Sequence, residues 1–217
     1  MNQKKLDFLP NSTLSLYQDD EMFKINTDTS LLGSFINFKV NKRVLDIGCN
    51  NGALLLYCLK YKPSFMLGID IDPKACEIAR MNMELNNVQN VMIINKNIKD
   101  YNDEQFDVII SNPPYDQNKR YIRNNDQEAK ARFTIDLTLD DLISQVNRLL
   151  KDNGRFFMIH RATYLNDIIF CIRKHKMSAE RVEFIYQKKD SFAQKIMIVV
   201  VKRNNTECKV YHRIIGV

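Results

Sequence analysis

The sequence predicts an α/β fold: a mostly parallel sheet of seven strands, the last one antiparallel, with helices on both faces. Three observations lead there. From residue 43 onward, short apolar runs alternate with segments whose apolar residues recur at helical spacing. The first run passes through a glycine-bearing turn directly into a helical segment, which is half of a nucleotide-binding unit. The last two runs, 182–186 and 196–202, have only a loop between them and therefore pair antiparallel, whereas strands joined through helices lie parallel by right-handed crossovers.

At 217 residues and 45% hydrophobic, the chain has material for one sizeable core. The expected organisation is a single domain, with residues 1–40 as an N-terminal extension of the unit formed by 41–217. There is no apolar run of about 18 residues, and the polar start has no apolar segment behind it, so neither a membrane span nor a signal peptide is expected. Five cysteines, odd in number and without Cys-x-x-Cys spacing, suit a reduced compartment and no structural zinc. The expected location is therefore cytoplasmic. His160, His175 and His212 are scattered without ligand spacing, so no metal is expected. The net charge of +6 is uneven: residues 151–217 carry 14 Lys+Arg against 6 Asp+Glu, and the remainder 18 against 20. A local excess of +8 suits a polyanionic partner.

Taken in order, residues 1–40 show little strand signal before 17–25. Thr27-Asp28-Thr29-Ser30-Leu31-Leu32, with Phe35 and Ile36 beyond, reads as a short helix over about 29–38. Residues 43–47 form the first core strand and lead into Asp46-Ile47-Gly48-Cys49-Asn50-Asn51-Gly52. The dinucleotide fingerprint G-x-G-x-x-G does not fit, which excludes a dehydrogenase. Asn50 stands at a position needing positive φ, which asparagine tolerates. The second strand, 65–69, ends at Asp70, 22 residues after Gly48, where an acid can accept from both hydroxyls of a ribose. Asp72 before Pro73 is a helix cap for the periodic segment 74–85. A third strand spans 91–94 and a fourth 106–110. Residues 116–137 carry many charges and little periodicity, and read as a long loop beside the site. Thr138 and Asp141 resemble a capping box ahead of an apolar stripe, Gly154 is expected to end that helix, and 155–159 is a fifth strand followed by a helix over 163–174.

The fourth strand runs into Ser111-Asn112-Pro113-Pro114-Tyr115. Paired prolines alone commonly just end a strand. Here they stand at the carboxyl end of a parallel strand, where open α/β sheets hold ligands. Proline has no N–H, so the Pro113 carbonyl and the Asn112 side-chain oxygen form two adjacent acceptors suited to a planar NH2 group, and Tyr115 supplies a ring for stacking.

Together these pieces resemble the class I S-adenosylmethionine-dependent methyltransferases, a Rossmann-like family, over almost the whole chain from about Leu16. The NPPY stretch looks like the motif of amino-group methyltransferases. Phe23, residues 27–32, Ala131-Arg132, Gly154-Arg155-Phe156 and His160-Arg161 make the set similar to the bacterial tRNA (adenine-N6) methyltransferases acting on adenine 37 of a valine tRNA. The resemblance implies S-adenosyl-L-methionine as cofactor, with Asp46, Gly48, Asn50 and Gly52 as its loop and Asp70 and Ile71 at the ribose. It further implies Thr27, Asp28, Asn97, Ile98 and Asn112 around it, and a 1–40 extension packed over it. Asn50 stands where glycine is usual, Asn97 where an aspartate is frequent, and Ala131-Arg132-Phe133-Thr134 where Ala-Arg-His-Glu is usual.

Catalysis would fall to Asn112, Pro113 and Tyr115, with Arg120, Arg123, Arg132, Lys188, Lys189 and Lys195 as candidate phosphate contacts to tRNA. Nothing in the sequence fixes an oligomeric state, and a monomer is compatible with it. Protein glutamine-N5 methylation is the nearest alternative, because a glutamine amide is also a planar amine; such enzymes carry a helical substrate domain for which 40 residues leave no room. DNA adenine methylation would lack a target-recognition domain. A silent RNA-binding scaffold is the non-enzyme alternative, and the intact NPPY stretch argues against it.

Overall fold

A computed structural model describes residues 4–19, 25–114, 137–203 and 206–216. Ten strands are described: β1 (Lys5–Phe8), β2 (Ser15–Gln18), β3 (Arg43–Ile47), β4 (Phe65–Asp70), β5 (Val91–Asn95), β6 (Phe106–Ser111), β7 (Leu150–Arg161), β8 (Ser178–Tyr186), β9 (Lys195–Val201) and β10 (Lys209–Ile214). Five α-helices accompany them: α1 (Thr27–Phe35), α2 (Ala53–Cys58), α3 (Pro73–Leu85), α4 (Leu139–Leu149) and α5 (Leu165–Lys174). β1 and β2 form a separate antiparallel hairpin, and the other eight strands make one sheet in the order β10-β8-β9-β7-β6-β3-β4-β5.

The period of two along each strand sorts the core into two layers. Val44, Met66, Ile110 and Phe157 face the layer containing α1, α2 and α3. Their neighbours Leu45, Leu67, Ile109 and Phe156 face α4 and α5. α3 starts where expected, with Asp72 as N-cap accepting from the Lys74 N–H at 2.9 Å and Pro73 at its first position. The reciprocal capping box of Thr138 and Asp141 opens α4.

Four expectations are corrected. The sheet has eight strands, because β10 adds to the far edge; it runs parallel to β8, so the antiparallel strand is β9, between β7 and β8. Buried Glu183 welds that edge by accepting from Arg181 and Arg213, each at 2.6 Å. The N-terminal region contains a hairpin of two four-residue strands whose β1 residues are all exposed; its Lys5-Leu6-Asp7-Phe8 alternation is too short to stand out. α1 begins at Thr27, since Asn26 is the cap and its side chain accepts from the Thr29 N–H at 3.0 Å. Gly154 does not end α4, which stops at Leu149 and continues at once as β7. Its lack of a side chain serves a close approach: a Cβ there would come within 2.9 Å of the Asp107 carbonyl oxygen. Among the described residues no helix is long and apolar enough to cross a membrane, and no group of three or more His, Cys, Asp or Glu is placed to hold a metal ion.

Candidate active site

β3 and β6 are neighbours, and the order of strands reverses between them; outside their carboxyl ends lies the position where open α/β sheets hold ligands. The turn after β3 needs left-handed backbone three times: φ is 73° at Gly48, 46° at Asn50 and 79° at Gly52. Asparagine at the middle position adopts the conformation expected of it. The Gly48 and Cys49 N–H groups both donate to the Ile69 carbonyl, at 2.8 and 3.1 Å, which pins the turn across β4. A Cβ at Gly48 would meet nothing within 4 Å, so the space over the turn is open.

Two acids flank this turn. Asp70, at the end of β4, accepts the Asn50 N–H on one oxygen and the Asp72 N–H on the other, both at 2.9 Å. The Ile71 N–H also acts on this carboxylate, and its two oxygens carry about four lone pairs in all, so acceptor capacity remains beyond these donors. Burial raises its pKa, against the lowering effect of those N–H groups. Asp46 is fully buried at the end of β3, and neither of its oxygens meets a donor among the described residues. Burial first, and the charge of Asp70 second, push its carboxyl up to about 8. A carboxyl so placed is poised to ionise when a cation arrives beside it.

The far wall comes from β6. Ser111 is buried, and its hydroxyl donates to the Ile47 carbonyl at 2.9 Å, locking the carboxyl ends of β6 and β3 together. Half-buried Asn112 and Pro113 follow immediately, beside the glycine turn. Asn97 caps the short 3-10 turn after β5, its side-chain oxygen accepting from the Lys99 N–H at 3.0 Å, with Ile98 buried behind it. Ile71 lies between Asp70 and the cap Asp72. Thr27 and Asp28 form the first turn of α1, where an acid opposes the helix dipole favourably. Asp28 accepts from the Lys195 ammonium at 2.7 Å, bringing together a residue expected near the cofactor and one expected on phosphate. Lys188 and Lys189 are exposed on the β8–β9 turn. Tyr115, Arg120, Arg123 and Arg132 lie outside the described residues, as do Phe23 and Ala131.

One contributor was missed. Buried Asn82 of α3 clasps the backbone of Tyr17, accepting its N–H at 2.6 Å and donating to its carbonyl at 3.1 Å, and also donates to the Asn51 carbonyl at 2.9 Å. It thus ties the N-terminal hairpin to the glycine turn. Its signal was available: position 82 falls on the buried stripe of α3 with Ala75, Ile78 and Ala79, where an apolar residue is expected. His160 sits two residues beyond the Ser111–Met158 pairing, buried and edge-on to Tyr164 with ring centroids 4.8 Å apart. Burial depresses its pKa to about 4, so it is neutral at pH 7.

The family profile described as "Methyltransferase small domain" matches residues 17–185. The chain belongs to this family. Curated relatives similar to it include the tRNA1(Val) (adenine(37)-N6)-methyltransferases of Yersinia pseudotuberculosis serotype O:3 (strain YPIII) and Yersinia pestis (strain Pestoides F), each 31% identical over 142 residues, 63% of this chain. The matched region spans 56% and 57% of those two relatives' lengths. Solved methyltransferase structures share the fold. A tRNA m1G37 methyltransferase from M. jannaschii superposes with a TM-score of 0.67 at 13% identity, over 94% of this chain and 56% of that one. The ribosomal protein L11 methylase of Lactobacillus delbrueckii subsp. bulgaricus does so with 0.62 at 18%, over 84% and 81%.

Proposed function

We propose that this chain transfers a methyl group from S-adenosyl-L-methionine to the exocyclic N6 of an adenine in tRNA, at position 37 of a valine tRNA. The observation that carries the reading is the placement of Asn112-Pro113 beside the Gly48 turn, fixed by the Ser111–Ile47 hydrogen bond. The sequence match to relatives named for that reaction supports it.

The residues fit the cofactor. Asp70 retains acceptor capacity for a ribose hydroxyl beside its backbone donors, the turn at Gly48 leaves open space, and Asp46 offers a buried carboxyl to the cationic portion. Asn97, Ile98 and Ile71 would border the adenine, and Thr27 and Asp28 would close the site from α1. When bound, S-adenosyl-L-methionine supplies an electrophilic methyl group on a sulfonium sulfur.

The target adenine would be swung out of its stack, at little cost in an anticodon loop, and stacked on Tyr115. Its amine is a poor nucleophile because the ring shares its lone pair. The Asn112 side-chain oxygen and the Pro113 carbonyl would each accept one N6 hydrogen, pyramidalise the nitrogen and stabilise the positive charge that develops on it. The extra proton is then acidic and leaves to water, so no general base is required. Arg120, Arg123 and Arg132 are proposed phosphate contacts, with Lys188 and Lys189 on the turn. Lys195 would serve from within its ion pair with Asp28.

The test is incubation with methyl-labelled cofactor and total tRNA, followed by identification of the labelled nucleoside by mass spectrometry. N6-methyladenosine is expected. Label in protein glutamine and none in RNA would overturn the reading.

A further inference from the structure

We propose that Phe192, on the turn between β8 and β9, is a stacking surface for an unpaired nucleotide flanking the target base, with Lys188 and Lys189 holding the adjoining phosphates. The proposal rests on the RNA reading above and adds a binding subsite to it. Phe192 is 95% exposed, more than any other large apolar side chain among the described residues. A single exposed apolar ring is common on protein surfaces; what singles this one out is the built turn that presents it, the lysines beside it and its place on the sheet.

The turn that presents it is built. The Ser191 hydroxyl donates to the Lys188 carbonyl at 2.7 Å and accepts the Lys188 N–H at 3.2 Å, while the Ser191 N–H returns to the same carbonyl at 3.2 Å. At its root, the Gln194 N–H donates to the Ile185 carbonyl at 2.9 Å, and the Ala162 N–H donates to the Gln194 carbonyl at 3.1 Å. The Lys195–Asp28 ion pair anchors the start of β9 to α1.

Position decides what the ring meets. β9 runs antiparallel to β7, so its start lies at the carboxyl end of β7, on the same edge of the sheet as Asn112. Two strand spacings, about 10 Å, separate β9 from β6. That is the zone occupied by nucleotides next to a base delivered to Asn112. Lys188 and Lys189 are exposed and form no ion pair among the described residues, so both cations are available to phosphate. An aromatic ring between cations is the composition that binds single-stranded nucleic acid, through a π-face any base can stack on.

The test uses the full chain, its Phe192→Ala and Phe192→Trp variants, and a synthetic tRNA anticodon stem-loop. RNA dissociation constants, KM, kcat, cofactor affinity and sedimentation are measured for each. The expected result is a Kd and KM for RNA raised about tenfold in Phe192→Ala. Phe192→Trp should stay within about twofold of wild type, and kcat, cofactor affinity and the salt dependence should be unchanged. Wild-type methylation of the stem-loop with unaltered RNA affinity in Phe192→Ala would overturn the inference alone. Absence of any wild-type binding to RNA would overturn it together with the functional reading. A change in self-association in Phe192→Ala without a change in RNA affinity would assign the ring to a second copy of the chain and refute the proposal.

Discussion

Asp46 gives the chain an unusual stability profile in the absence of ligand. Its carboxyl is raised from 3.8 to about 8 by burial and by Asp70. The folded state therefore holds one proton that the unfolded chain releases as pH rises above about 4, and stability falls with rising pH until about 8. Buried His160 acts oppositely. Its pKa falls from 6.5 to about 4, so the unfolded chain holds the extra proton in that window, and stability rises with pH up to 6.5. Between about pH 4 and 6.5 the two slopes cancel. From 6.5 to 8 only the acids remain, at about 1.4 kcal/mol per proton per pH unit, so Asp46 removes about 2 kcal/mol over that interval. Asp70, also raised by burial, acts in the same direction. Urea unfolding of wild type and Asp46→Asn at pH 6.5 and pH 8 measures this. Wild type should lose about 2 kcal/mol more than the variant. Parallel stabilities at both pH values would refute the assignment of Asp46 as a protonated buried acid.

Three further perturbations follow from the geometry. Gly48→Ala places a Cβ at φ 73° with no neighbour to clash with, so only backbone strain is added; a loss of about 1 kcal/mol, or a Tm lower by about 2–4 °C, is expected with weaker cofactor binding by calorimetry. Asn82→Leu strips hydrogen bonds from the Tyr17 and Asn51 backbone, and should cost about 2–4 kcal/mol by denaturant titration while also weakening cofactor binding. Replacing Lys188 and Lys189 together by alanine should reduce the slope of log affinity against log salt for single-stranded RNA by about 1.4; an unchanged slope would remove both residues from the RNA interface.

The fold was legible wherever burial imposed a period. The strands from 43 to 111, the antiparallel pairing of β8 and β9, the Asp72 cap and the Thr138 capping box all follow from local pattern. The elements that were missed lie where burial is slight: β1 is exposed throughout and its Leu6/Phe8 alternation spans only four residues, while β10 is nearly all exposed and mixes polar and apolar residues without a clear period. Gly154 was misread because a glycine after an amphipathic stripe has two uses, a helix stop or a close approach, and only the Asp107 carbonyl decides between them. Of the candidate site, the three left-handed turn residues and the end-of-strand position of Asp70 could be read from residue type and spacing. The orphaned burial of Asp46 could not, since it depends on layers packed from distant segments. Nor could the Asp28–Lys195 pair, whose partners stand 167 residues apart. Asn97 shows how one residue serves two readings: its oxygen caps the Lys99 N–H whatever else it borders.

The central claim is that Asn112 activates the acceptor amine. Single-turnover methylation of the anticodon stem-loop by Asn112→Ala, at saturating cofactor and RNA so that affinity does not enter, tests it most directly. The account predicts a rate reduced by about 100-fold or more, with thermal unfolding unchanged. Turnover at the wild-type rate would contradict it.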